Sequence, residues 1–367
     1  MDVAKTLEKL CLAPAPSGYE KECAHVYENE IKPYVDSIEY DRMGNVIAKV
    51  EGTDPEAPKV MVFAHLDTLG FIVRRIEPTG FIQVDRLGGI PEKVLPGLKL
   101  KIRTTEGKFV SGVFGNKSHH TASADEKYKV DVVTSLFIDV GASSAEEVHE
   151  MGIEIGCPVI YEPSFTVLSE KNGMVCGTAM DNRGGVAALV TAAAAIKESG
   201  KKPVCTTYFV GTVWEEFNIR GAVFAARKVK ADIALCLDVV MSGDTADLAG
   251  KYETRLGDGP TVNFYNFHGR GTLNGTIAHE GLSKLAIQTA KDEGMAFQRF
   301  ASLGMLTDLA YVQMENQGIA SLDMGFPCRY THTPVEVCCV KDVEGLGKLV
   351  AATVLNIKAD FNLNRYN

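Results

Sequence analysis

The stretch TTYFVGTVWEEFNIRGA, residues 206–222, decides the fold. It opens as a run of aromatic, β-branched and small apolar residues, the pattern of a strand buried on both faces. It stops at Glu215 and Glu216, and a helix is predicted near 219–230. A buried strand that feeds a helix is one unit of an α/β sheet. The two acids pose the functional question. Adjacent side chains on a strand point to opposite faces. Past the strand end that alternation lapses, and both carboxylates can turn toward one site.

The same rhythm recurs on either side. GNVIAKV (44–50) and PKVMVFAH (58–65) read as strands, the second apolar nearly throughout. Ser17-Gly-Tyr-Glu20 reads as a capping box that opens a helix running to about Tyr34. An Ala-rich helix is predicted over about 183–199, stopped by Gly200. DIALCLDVV (232–240) and IASLDMGF (319–326) read as strands. EGLSKLAIQTAKDEG (280–294), LAYVQMENQG (309–318) and VEGLGKLVAATVLNI (343–357) read as helices. Between about Gly70 and Phe165 the texture changes to short alternating runs such as LKLKIRT and KFVSGVFG, broken by Gly, Pro and polar turns. Only SAEEVHEMG (144–152) looks helical there, with Ser144 and Glu147 as a second capping box. The expected architecture is α/β: a mixed, mostly parallel sheet flanked by helices, built from residues 1–69 and 166–367. A small β-barrel, 70–165, interrupts it.

Composition narrows the function classes. The 367 residues are ample for a large core, and 46% hydrophobic with 23% charged residues suits a globular protein. A net charge of −9 argues against a nucleic-acid partner. No run of about 18 apolar residues occurs, so no membrane span is expected. The first residues lack the basic-then-apolar pattern of a secretory leader. Nine cysteines, an odd number without CxxC spacing, point to reduced, buried thiols and a cytoplasmic location.

Ligands of open α/β sheets bind outside the carboxyl ends of the strands. VMVFAH ends in His65, with Asp67 two residues on. CGTAMDNRGG places Asp181 just before a helix, VGTVWEE ends in Glu215 and Glu216, and IALCLD ends in Asp238. His332 follows the last strand in DMGFPCRYTHTPVE. Two imidazoles and five carboxylates are thus expected along one edge. Converging carboxylates repel and raise one another's pKa. Two divalent cations would convert that repulsion into ligation, and His with Asp/Glu donors suits Zn²⁺, and also Co²⁺ or Mn²⁺. One glutamate can then ligate while the other stays free to take a proton from water.

With AHLDTLGF (64–71), GTAMDNRGG (177–185), TVWEEFNIRGA (212–222), LCLDVV (235–240), LTDLAYV (306–312) and YTHTPVE (330–336), the chain resembles the glutamyl/deblocking, or tetrahedral, aminopeptidase family of dinuclear metallopeptidases. Some members carry the label endoglucanase. The resemblance runs over nearly the whole chain. It implies an aminopeptidase that removes N-terminal residues from short peptides. It further implies that His65 and Asp238 bind one metal, Glu216 and His332 the other, and that Asp181 bridges them. Glu215 would be the general base acting on a metal-activated water, and Asp67 would accept a hydrogen bond from the His65 ring. It also implies self-association through the β insert into a large homo-oligomer, expected to be a dodecamer.

The chain departs from the family pattern at Thr68, where Glu is usual, at Asn182, where Asp is frequent, and at Met305 and Leu306, where Gly is frequent. None removes a ligand or the base; they touch substrate choice, and leave a different amide or an acylated sugar as an alternative substrate. His119 and His120 in NKSHHT read as a surface loop, or as a loop that reaches the active site or a neighbouring subunit. Arg220 and Arg329 read as surface ion pairs or as contacts to a substrate acid. HGRGTLNG (268–275) misses the dinucleotide fingerprint by one residue.

Overall fold

The computed structural model describes residues 1–269 and 273–366, so the middle of HGRGTLNG lies outside the described residues. Its centre is parallel. Strand Val60–His65 lies between Thr207–Thr212 and Ile233–Met241, and Ala320–Arg329 runs parallel to the last of these. Register fixes the edge at which chemistry collects. Thr212 stands opposite His65, and Cys236 stands opposite Phe63, so Asp238 comes level with His65. Outer strands pair antiparallel: Val46–Val50 and Ser37–Tyr40 on one side, and Glu336–Cys339, Met174–Gly177 and Phe165–Ser169 on the other. The fold is mixed α/β, as expected.

Strand Val60–His65 is buried throughout, because both faces are covered. Val60, Val62 and Ala64 join Phe209, Leu235 and Leu322 under the helices Val3–Cys11, Lys21–Ile31, Met180–Ser199, Glu280–Asp292 and Val340–Asn356. Met61 and Phe63 face the opposite core with Val210 and Ala225, under Gly221–Val229. The Ala-rich sequence of Met180–Ser199 lets it lie close against Val340–Asn356. The approach is so tight that a Cβ on Gly347 would fall 2.5 Å from the Cβ of Thr191.

Six strands, Gly70–Ile76, Ile82–Leu87, Lys99–Arg103, Phe109–Phe114, Ile138–Asp139 and Pro158–Tyr161, close into an antiparallel barrel with its own core. Phe71 sits at the centre, edge-on to Phe114 at 5.1 Å and to Tyr161 at 5.8 Å.

Three features differ from the sequence reading. Strands Thr261–His268, Asn274–Ile277 and Gln298–Leu303 form an unanticipated branch that joins the main sheet at Ala320–Arg329. LAYVQMENQG holds only one helical turn, Leu309–Val312. Ser17 caps no helix: its hydroxyl donates to Asp67 at 2.6 Å, while the Glu20 carboxylate accepts from Gly18 N–H. The cysteines are free thiols, all buried except the half-buried Cys176. Among the described residues, no helix is long and apolar enough to cross a membrane.

Candidate active site

The expected site residues sit at or just beyond strand ends, except Asp238, whose strand runs on to Met241. His65 closes Val60–His65, and Asp238 lies level with it in Ile233–Met241. Asp181 stands at the start of helix Met180–Ser199, after strand Met174–Gly177. Glu215 and Glu216 open the single turn Glu215–Asn218, and His332 lies between Ala320–Arg329 and Glu336–Cys339. Left-handed backbone marks these junctions: φ is 62° at Ala179, 62° at Trp214 and 66° at His332. Such a conformation costs a non-glycine residue about 1–3 kcal/mol, and it recurs where function demands it. At Trp214 the reversal converts strand into helical turn. Successive side chains there diverge by about 100° rather than 180°, so both glutamates can face one centre.

Asp181 lies between the two imidazoles. Its Oδ1 is 3.2 Å from His65 Nε2, and its Oδ2 is 3.6 Å from His332 Nε2. His65 Nε2 also faces Glu215 at 3.8 Å and Asp238 at 3.9 Å, and His332 Nε2 faces Glu216 at 3.7 Å. Both rings present the same nitrogen inward. His65 Nδ1 lies 3.0 Å from the main-chain carbonyl of Asp67, and His332 Nδ1 lies 2.7 Å from that of Gly89. A carbonyl can only accept, so each Nδ1 carries a proton, and Nε2 is the nitrogen left facing the carboxylate oxygens. Four carboxylates gathered around these two nitrogens call for positive charge among them.

Electrostatics agree with that requirement. Burial drives the carboxyls of Glu215, Glu216 and Asp238 well above their ordinary pKa, and neighbouring acids add to the effect. Burial works against a charged His65, yet Glu215, Asp181 and Asp238 around it push its pKa well above the usual value. Burial would also raise Asp181, but His65 and His332 hold it low. One donor atom from each of His65, Asp181 and Glu216 falls within 4.8 Å of the others, a set that could hold a metal ion. The donor chemistry therefore fits divalent cations, which favour ionised carboxylates and neutral imidazoles.

Asp67 holds the ring of His65 through its main-chain carbonyl; its carboxylate stands 3.7 Å from the ring. That carboxylate instead accepts from Glu215 N–H and Glu216 N–H, each at 3.0 Å, and from the Ser17 hydroxyl. Its expected bond to the imidazole is thus replaced by anchorage of the two glutamates. Glu336, which sequence reasoning missed, accepts from Asp181 N–H at 2.9 Å and from His332 N–H at 2.6 Å. It grips two site residues by their backbones. Asn182, joined to Asp181 by a cis peptide, donates to the Leu237 carbonyl at 2.8 Å and accepts from Gly185 N–H at 3.0 Å. An amide supplies both roles, which accounts for Asn at that position.

The centre opens into a cleft of about 1430 Å³, including its open mouth. His119 and His120 do not line it; their rings meet edge-on at 5.9 Å in an exposed loop. Arg220 stacks 5.0 Å from the centre of the Tyr311 ring, and Arg329 forms a two-point pair with Asp244 at 2.7 Å for each contact.

Residues 44–349 match the family described as M42 glutamyl aminopeptidase. The chain belongs to the M42 glutamyl aminopeptidase family. It is a peptidase hydrolase of the aminopeptidase class, and M42 peptidases are metallopeptidases. SgcX of Escherichia coli (strain K12), itself provisionally named an aminopeptidase, is 38% identical over 351 residues, 95% of this chain and 92% of its own. An aminopeptidase structure from the archaeon Desulfurococcus kamchatkensis superposes with a TM-score of 0.90 at 31% identity, covering 98% of this chain and 96% of that one. The TET1 peptidase of Pyrococcus horikoshii, described as assembling into a tetrahedron or a large octahedral shell, has a TM-score of 0.83 at 26% identity. That match covers 97% of this chain and all of the other.

Proposed function

We propose that this M42 chain is a dinuclear, metal-dependent aminopeptidase acting on short peptides. The observation that carries the reading is the double approach to Asp181, with the Nε2 of one imidazole near each of its oxygens. His65 and Asp238 would hold one cation, Glu216 and His332 the second, with Asp181 shared between them. Zn²⁺ suits these donors, as do Co²⁺ and Mn²⁺. When bound, such a pair supplies Lewis acidity and acidifies water.

The protein's own groups do the rest. Glu215 is buried, faces His65 Nε2 at 3.8 Å, and is assigned no metal in this scheme. Its carboxylate takes a proton from the attacking water and delivers it to the leaving amine. Asp67 fixes the position of Glu215 through the backbone bond, and holds the His65 tautomer through its carbonyl. Residues 1–69 and 166–367 are read as the catalytic domain, and 70–165 as an inserted barrel used for assembly into a dodecamer.

The test is a screen of aminoacyl-anilides and N-acetyl sugars with protein reconstituted with Zn²⁺, Co²⁺ or Mn²⁺, beside Glu215→Gln. Hydrolysis of anilides that needs both metal and Glu215 is the expected result. Hydrolysis of the sugars alone would replace the aminopeptidase reading by the alternative substrate, and activity undiminished in Glu215→Gln would remove the base.

A further inference from the structure

The cleft wall carries two chemistries. One part is the cluster itself: His65, Asp181, Glu215, Glu216, Asp238 and His332. Apart from His268 and Thr331, the remaining described lining is apolar side chains and glycine. Ile219 follows the turn that bears the two glutamates, and Val239 and Met241 continue the strand that bears Asp238. Met305 and Leu306 enter from the loop after strand Gln298–Leu303. Ile219, Met241, Met305 and Leu306 are half-buried, so part of their apolar surface is open to whatever enters.

The charges of the described lining disfavour two substrate classes. Among the described residues, no lysine or arginine lines the cleft. Arg220 and Arg329, the residues that could have met a substrate acid, are engaged with Tyr311 and Asp244. An N-terminal glutamate or aspartate would enter beside four carboxylates, with no lysine or arginine in the described lining to meet it. A lysyl or arginyl side chain fares no better: every carboxylate in the described lining belongs to the cluster and is spoken for there. A flexible or branched aliphatic side chain, by contrast, gains burial against groups of its own kind. Methionines in the wall can re-pack around it.

We infer that this site takes peptides whose N-terminal side chain is uncharged and aliphatic, of the leucine or methionine type, seated against Ile219, Met241, Met305 and Leu306. The inference rests on the aminopeptidase reading above and narrows it, away from the acidic preference in the family's description.

The experiment compares kcat/KM for Leu-, Met-, Ala-, Lys- and Glu-anilides using the metal-reconstituted full chain. Leu and Met should exceed Ala by about tenfold or more, and Glu and Lys by roughly 10²-fold, the scale of discrimination an apolar pocket provides. Met305→Arg should lower the Leu rate and raise the Glu rate. A second readout avoids catalysis: calorimetric titration of metal-loaded Glu215→Gln with L-leucine and with L-glutamate, leucine binding about tenfold tighter or more. A Glu- or Lys-anilide as the best substrate, or glutamate binding as tightly as leucine, overturns the apolar assignment and leaves the aminopeptidase reading standing. If no anilide is cleaved with any of the metals, the aminopeptidase reading falls, and this inference with it.

Discussion

At the scale of single residues, two glutamates with similar burial do different work. Glu215 is the proposed proton carrier, so Glu215→Gln should lower kcat by roughly 10²–10⁴-fold while metal content stays near that of the parent. Paired kinetic and metal analyses check it, and a matching loss of metal would make Glu215 a ligand instead. Glu336 acts through geometry. It accepts hydrogen bonds from the backbone N–H groups of Asp181 and His332. Glu336→Ala should therefore weaken metal affinity by about 10–100-fold, the usual cost of losing a group that orients ligands. A chelator-competition titration reads that shift; unchanged affinity would leave Glu336 a packing residue. The contrast also shows what the residues disclosed in advance. His65, Glu215 and Glu216 were legible because each stands where an apolar run stops, and Asp238 because it is a lone acid inside one. Glu336 was not, since a carboxylate that binds main-chain N–H groups leaves no partner pattern in the sequence. An acid four residues beyond His332, just ahead of the buried run Val337–Cys339, was the available signal. Asp67 was found, but its bond to the ring comes from the carbonyl, an atom every residue possesses.

At the scale of elements, the central strands were readable because burial on both faces makes them uniformly apolar. The branch Thr261–His268, Asn274–Ile277 and Gln298–Leu303 was missed because it is only partly covered and its polar residues interrupt the run. Close packing between elements can be tested directly. Gly347→Ala would place a Cβ 2.5 Å from Thr191 Cβ and force Val340–Asn356 away from Met180–Ser199. A loss of about 1–3 kcal/mol in unfolding free energy is expected, and an unchanged denaturant midpoint would show that the helices shift freely. The end of strand Ala320–Arg329 carries a second test. Arg329 grips Asp244 beyond strand Ile233–Met241, and Ser242 and the Leu256 N–H join it there. Burial alone would raise the Asp244 carboxyl, but these partners hold it down to about 2. A depressed folded pKa stabilises above the ordinary value of 3.8 and loses that effect as pH falls toward about 2. The pair is partly exposed, so Asp244→Asn should cost about 1 kcal/mol at neutral pH. The gap to the parent should close between about pH 4 and pH 2. Urea unfolding across that range decides it, and a gap independent of pH would mean that the amide disturbs packing instead.

At the scale of the whole molecule, the barrel has its own apolar centre and yet carries apolar side chains outside it. Tyr128, Val130 and Val132 are 89%, 58% and 51% exposed. They alternate with Lys129 and Asp131 along a stretch whose backbone is extended at Lys129 and Val132. Tyr128 closes the 3-10 turn Glu126–Tyr128, and period-two spacing on the extended chain after it places Val130 and Val132 on one side, where they make an apolar stripe. Proteins that work alone seldom leave such a stripe in water. The P. horikoshii relative is described as building closed shells, and a stripe on the inserted barrel is a surface that copies of this chain could cover. The expected particle is twelve subunits by light scattering. Changing Val130 and Val132 together to Asp should yield a smaller species, because burying two unpaired carboxylates costs more than the lost apolar contact. Residues 130 and 132 lie outside the cleft lining. The smaller species should therefore still hydrolyse short anilides, with kcat/KM within about twofold of the parent. A parent chain that scatters as a monomer removes the assembly. A twelve-subunit particle that survives both substitutions moves the interface off this stripe. A small species that has lost its activity would show that the catalytic centre is completed by a neighbour.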